Sequence, residues 1–99
     1  MPLAGFQRKH LRGLAHALEP VVHVGNAGVS DSVAAAVDEA LGAHELIKVR
    51  LHQPEDKKAM ADELAQRCGA EVCGVVGHTV ILYRENAEKK GKRVILPTR

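Results

Sequence analysis

Residues 21–51 read VVHVGNAGVSDSVAAAVDEALGAHELIKVRL, and the fold is decided there. Val21-Val22-His23-Val24 is a short β-branched run that predicts a strand. Gly25-Asn26-Ala27-Gly28 interrupts it. Ser30 is a good helix N-cap, and Asp31 suits a first turn, where the helix dipole favours negative charge. Val33, Ala36, Val37, Ala40 and Leu41 recur at helical spacing, and Gly42 suits the C-terminal cap. In Glu45–Leu51, Ile47, Val49 and Leu51 alternate with Leu46, Lys48 and Arg50, the pattern of a half-buried strand. A strand, a helix and a strand in this order imply a parallel pair joined by a right-handed crossover.

The flanking segments extend the pattern. Upstream, Leu11, Leu14, Ala15 and Leu18 predict an amphipathic helix over about 4–17, ended by Pro20. Downstream, Pro54, Glu55 and Asp56 open a third helix. Ala61, Leu64, Ala65 and Cys68 line its inner face, and Gly69 stops it. Glu71–Val76 and Val80–Arg84 predict two more strands, with Gly77-His78 between them as a two-residue type II′ turn. Asn86–Lys92 is a polar, basic loop, and Val94–Leu96 a short edge strand. The expected order is α-β-α-β-α-β-β: an α+β two-layer domain with two strand–helix–strand units, its helices on a mixed four-stranded sheet. Three helices leave one sheet face open. Lys48 and Arg50 share a face by period two, which Arg84 joins if its register agrees.

The chain has 99 residues, enough for one domain. No apolar run approaches the roughly 20 residues of a membrane span. The N-terminus lacks the apolar stretch of a secretory signal, and two cysteines make no disulfide framework. The expectation is a soluble, cytoplasmic, monomeric protein. Phe6 and Tyr83 are the only aromatic residues besides the histidines, which argues against the aromatic base-stacking platform of an RRM.

The net charge of +2 hides a segregation. Residues 1–18 carry Arg8, Lys9 and Arg12 with no acid. Residues 19–45 carry Glu19, Asp31, Asp38, Glu39 and Glu45 with no lysine or arginine. Residues 84–99 carry six bases against Glu85 and Glu88. Basic residues thus gather at the two ends.

Gly25-Asn26-Ala27-Gly28 lies between a strand and a helix start. Glycines permit a tight turn and close approach of a phosphate, and the helix N-terminus offers N–H groups to it. The GxxG loop of KH domains clamps a nucleic-acid backbone in this way, although such a loop is also an ordinary connection. The glycines fit neither a Rossmann fingerprint nor a P-loop. Arg8, Arg12 and His16 stand four residues apart with Lys9 beside them, a stripe suited to phosphates or to a solvated helix face. His16 adds a positive charge when protonated. Lys89, Lys90, Lys92 and Arg93 suit a phosphate-binding arm or a solvated linker.

The six histidines include no H-x-x-x-H pair, and Cys68 and Cys73 lack a zinc-site frame, so no metal and no cofactor are expected. Both cysteines suit small buried apolar positions. Ser30 serves as a cap, and adjacent His44 and Glu45 point to opposite faces of a strand. No catalytic constellation stands out, and no enzyme is expected.

Leu11-Arg12, Ala15-His16, Pro20-Val21-Val22, Val24 to Gly28, Ala40-Leu41, His44 to Val49, Val76-Gly77 and Leu82-Tyr83-Arg84 resemble the CRM domain, the chloroplast RNA splicing and ribosome maturation domain. The resemblance runs over about residues 3–97. It implies a fold similar to the C-terminal domain of translation initiation factor three, with the GxxG loop at an RNA surface. For the bacterial stand-alone form it implies association with ribosomal RNA in large-subunit precursors. Many members carry lysine in the loop, where Asn26-Ala27 stands here, and lysine where Glu19 precedes Pro20. Both departures remove charge from the implied surface. They place the binding on Gly25, Asn26, Ala27 and Gly28 through the backbone, and on Arg8, Lys9, Arg12, His16 and Lys48 through charge. The expected partner is RNA rather than DNA or a membrane. The alternative is a protein-interaction module recruited to ribosomal precursors through a protein partner.

Overall fold

The computed structural model describes residues 3–25 and 28–85. Asn26 and Ala27, the loop expected over Asn86–Lys92 and the edge strand expected over Val94–Leu96 lie outside the described residues.

Three helices and four strands follow one another in the expected order: α1 (Gly5–Ala15), β1 (Val22–Val24), α2 (Asp31–His44), β2 (Leu46–Leu51), α3 (Lys57–Cys68), β3 (Glu71–Val76) and β4 (Thr79–Tyr83). Local chemistry sets most boundaries. Ser30 Oγ accepts from Val33 N at 3.2 Å and starts α2. Asp56 Oδ1 accepts from Ala59 N at 3.0 Å, so α3 begins one residue after Asp56 rather than at Pro54. Gly69 ends α3 at φ 64°, where glycine carries no Cβ penalty. Gly77 has φ 60° and His78 does not share the positive φ, as a type II′ turn requires.

Gly42 does not cap α2. The helix continues to His44, and Glu45 takes φ 62° while its N–H reaches Leu41 O at 2.9 Å. A buried non-glycine residue holds this disfavoured conformation because its neighbours on both sides are fixed. Leu41 is in the core, and Leu46 is already paired in the sheet.

The strand order is β1-β2-β4-β3. β1 and β2 are parallel, Val22 opposite Val49 and Val24 opposite Leu51. β2 pairs with β4, and β4 with β3, both antiparallel. The second strand–helix–strand unit therefore does not form a parallel pair. β3 runs in the direction of β2, but β4 is inserted between them. Burial explains the choice. Val80, Ile81, Leu82 and Tyr83 are all buried, so β4 fills both faces as a central strand must. β3 carries Gly74 and a register shift between Val72 and Gly74, which suits an edge.

Helices lie on both faces. α2 and α3 cover one, where Val37, Leu41, Ala61 and Leu64 meet Val24, Ile47, Val49, Val80 and Leu82. The two expected layers are these. α1 adds a layer on the second face, where Leu11 and Ala15 meet Leu46, Cys73, Ile81 and Tyr83. Of the stripe expected on α1, only Leu11 and Ala15 are buried, whereas Leu14 and Leu18 are exposed. A single short helix across a sheet presents a narrower face than the spacing suggests.

Candidate nucleic-acid interface

α1 covers only part of its sheet face. Beyond it, the alternation of β2 places Lys48 and Arg50 on the same face as Leu46. The register extends this row: His23 stands opposite Arg50 on β1, and Thr79 opposite Arg50 on β4. Val22 and Val24 point into the other core, so the exposed His23 belongs to the α1 face.

Arg12, His16, Lys48 and Arg50 converge on one groove of about 340 Å³ between the C-terminal end of α1 and the sheet. Glu19 lies at its rim, and Thr79 and Ile81 line its sheet side. Two of the cations are positioned by the backbone. Arg12 Nη1 donates to Cys73 O at 2.8 Å, and Lys48 Nζ to Leu18 O at 3.1 Å. Each retains further N–H donors. Arg12 lies flat across β3 because residue 74 has no side chain. A Cβ there would stand 2.6 Å from Arg12 Cδ.

The glycine loop follows directly from β1. Gly28 N donates to Gly25 O at 3.0 Å, and Ser30 N to Gly28 O at 3.0 Å. Gly28 takes φ 73°, a conformation glycine adopts freely. The turn and the Ser30 cap thus use the N–H groups of Gly28, Ser30 and Val33. Among the described residues, Asp31 and Ser32 supply the first-turn N–H groups that remain for an anion.

Asp31 stands in that turn, where its charge opposes an anion. Arg67 on α3 answers it: Nη2 reaches Asp31 Oδ1 at 2.5 Å, and Nη1 donates to Val29 O at 2.9 Å. Arg84 does the same for Asp38. Its Nη1 reaches Asp38 Oδ1 and Cys68 O at 2.5 and 2.8 Å. Arg84 therefore lies on the α2–α3 side and does not join Lys48 and Arg50.

The loop's two flanks differ in charge. On one, a groove of about 570 Å³ runs between Gly25, Gly28 and His52 and the acids Glu55, Asp56 and Glu63. This flank repels phosphate. The other leads along β1 through His23 to Arg50 and Lys48.

Of the expected site residues, the structure brings Arg12, His16 and Lys48 together, with Gly25 and Gly28 at the end of the neighbouring strand. Arg8 is not among them. It is half-buried, and its Nη1 donates to Leu3 O at 2.5 Å. Lys9 is exposed on α1, two turns before His16 and in line with it. Arg50 and His23 complete this face, and Arg67 acts from the other side of the sheet by holding Asp31. The first two were open to period-two reasoning, but Arg67 carries no sequence signal, because it reaches Asp31 only through the packing of α3 against α2.

Both thiols are free and buried. Burial pushes Cys73 up to about 11, with Glu71 adding to the rise and Arg12 opposing it. Burial also raises Cys68. With a pKa of about 11, about one Cys73 thiol in a thousand is ionised at pH 8. Native protein is therefore expected to leave Ellman's reagent nearly colourless over minutes at pH 8, and denatured protein to release both thiols at once. Rapid native labelling of Cys73 would contradict its burial. Among the described residues, no group of three or more histidine, cysteine or acidic side chains is placed to hold a metal, and no helix is long and apolar enough to cross a membrane.

Known proteins resemble this chain in sequence and in fold. The family model of the CRS1/YhbY (CRM) domain matches residues 3–84. The chain is 39% identical to the probable RNA-binding protein YqeI of Bacillus subtilis over 96% of this chain and 99% of that one. It is 37% identical to an RNA-binding protein of Haemophilus influenzae over 85% of this chain and 87% of that one. The solution structure of a hypothetical protein from Staphylococcus aureus superposes with a TM-score of 0.83 at 34% identity, covering 96% of this chain and 99% of the other. The chain, with its three helices on a mixed four-stranded sheet, belongs to the CRS1/YhbY (CRM) domain family.

Proposed function

We propose that this is a non-catalytic, cytoplasmic RNA-binding protein that engages ribosomal RNA in large-subunit precursors and assists their assembly. The observation that carries the RNA part is the convergence of Arg12, His16, Lys48 and Arg50 in one groove on the strand face that leads to the glycine loop. Cations positioned by backbone carbonyls bind phosphates with little further ordering cost. The names of the relatives support RNA as the ligand class. The ribosomal target comes from the family resemblance.

Gly25→Asp tests the loop. A Cβ at Gly25 meets nothing within 4 Å, and no positive φ is required there, so the variant is expected to fold while placing a negative charge beside the loop. Its affinity for a large-subunit ribosomal RNA transcript is expected to fall roughly tenfold, since a charged hydrogen-bonding contact is worth about 1.5–3 kcal/mol. Unchanged filter binding would remove the loop from the interface. Co-sedimentation with the large subunit that survives RNase, without affinity for naked RNA, would favour a protein partner instead.

A further inference from the structure

Four large apolar side chains are exposed among the described residues, and three of them, Leu14, Leu18 and Val21, at 44, 40 and 49% exposure, converge. With the exposed His44 they line a groove of about 470 Å³ on the outer side of α1. Such a cluster on a small domain marks a contact, and the volume is that of a small-ligand site.

The groove is continuous with the basic one, because Leu18 and Glu19 line both. Lys48 Nζ stands at this shared wall, donating to Leu18 O at 3.1 Å. A strand whose phosphates lie along Arg12 and Lys48 therefore passes the mouth of the apolar groove. Glu19 stands exposed at the same boundary. Among the described residues the ion pairs are Arg67–Asp31 and Arg84–Asp38, so no cation neutralises Glu19. Towards a phosphate its charge is unfavourable, but towards the N–H edge of a base it is a strong acceptor.

We propose that the groove seats one unstacked guanine of single-stranded RNA, its ring against Leu14, Leu18 and Val21, its other face towards His44 and its edge at Glu19. This rests on the RNA-binding reading and adds a base preference to it. Splayed bases stack on apolar side chains and on histidine. Guanine follows from the acceptor, since a carboxylate accepts hydrogen bonds and donates none. Of the four RNA bases, guanine alone presents two adjacent donors on its Watson–Crick edge, N1–H and the N2 amine, which match the two carboxylate oxygens. Adenine and cytosine place a bare ring nitrogen beside their amine, and uracil places carbonyls on both sides of its N–H. Each of these sets an acceptor against the carboxylate, which leaves it unsatisfied. Pairing in a duplex occupies the same edge, so the seat requires an unpaired nucleotide.

Fluorescence anisotropy on the full chain, with short oligouridines carrying one central guanosine or adenosine, tests it. The guanosine RNA is expected to bind about tenfold more tightly, the worth of one charged hydrogen-bonding contact. In Glu19→Gln that ratio is expected to fall to about threefold or less, because the amide keeps one acceptor and loses the charge. Removing an acid also tightens every RNA through its phosphates, so the ratio is the readout rather than either affinity. Equal binding of the two RNAs by the wild-type chain, or an unchanged ratio in Glu19→Gln, overturns the guanine seat. Methyl nuclear magnetic resonance reads the seat directly. The ring current of the guanosine is expected to shift the methyls of Leu14, Leu18 and Val21 upfield and to leave Leu64 and Leu82 unmoved. Unshifted groove methyls at saturation overturn the seat and leave the groove to a protein partner. A wild-type chain that binds a large-subunit ribosomal RNA transcript without the guanosine preference fails the seat alone. One that binds no RNA fails the functional proposal as well.

Discussion

Replacing Lys48 and Arg50 together by glutamate is expected to weaken RNA binding by about a hundredfold or more at moderate salt. Two charged contacts at about 1.5–3 kcal/mol each account for that loss, and the reversed charges add repulsion. The slope of log K against log salt is expected to flatten by about 2, one unit for each phosphate contact removed. Both residues share the face of β2 that α1 leaves uncovered. Arg50 is exposed, and the Lys48 ammonium bonds one carbonyl at the rim, so the fold is expected to persist by circular dichroism. Equal affinity and slope in the folded double variant would exclude the groove as the interface. The acids at Asp31 and Asp38 do not weaken this expectation, because Arg67 and Arg84 hold them.

Leu82→Ala is expected to destabilise the fold by about 2–5 kcal/mol, the range for a leucine removed from a core. Leu82 is fully buried in the central strand, between Ile47 on β2 and Val72 on β3. A domain of this size has only about 5–15 kcal/mol in hand, so the variant is expected to be partly unfolded at physiological temperature. Urea denaturation at 25 °C reads the difference. Val76→Ala, at a 65% exposed position at the end of β3, is expected to cost under about 0.5 kcal/mol. Similar costs at the two positions would contradict the placement of β4 at the sheet centre.

Element type and order were readable because each rests on local chemistry. Ser30 and Gly69 act within a turn of their own positions, and the alternation of Ile47, Val49 and Leu51 states which side of β2 is buried. The central place of β4 also had a signal, the unbroken Val80-Ile81-Leu82-Tyr83 run, but sequential connection favoured β3 as the partner of β2. Strand neighbours are selected by burial on both faces at once, which no local spacing encodes.

The site divides along the same line. The place of the two glycines between β1 and α2 and the shared face of Lys48 and Arg50 are matters of spacing, and the sequence alone determined them. Which cations meet was decided only by the tertiary structure. Packing of α1 over Gly74 directs Arg12 and His16 towards β2, while Arg8 turns back to Leu3. Packing of α3 against α2 brings Arg67 to Asp31 across 36 positions of chain. Charges far apart in sequence become neighbours only when hydrophobic burial fixes the elements that carry them. The net charge of +2 therefore understates a surface on which Asp31 and Asp38 are paired on the α2–α3 side while Arg12, His16, Lys48 and Arg50 converge beside α1.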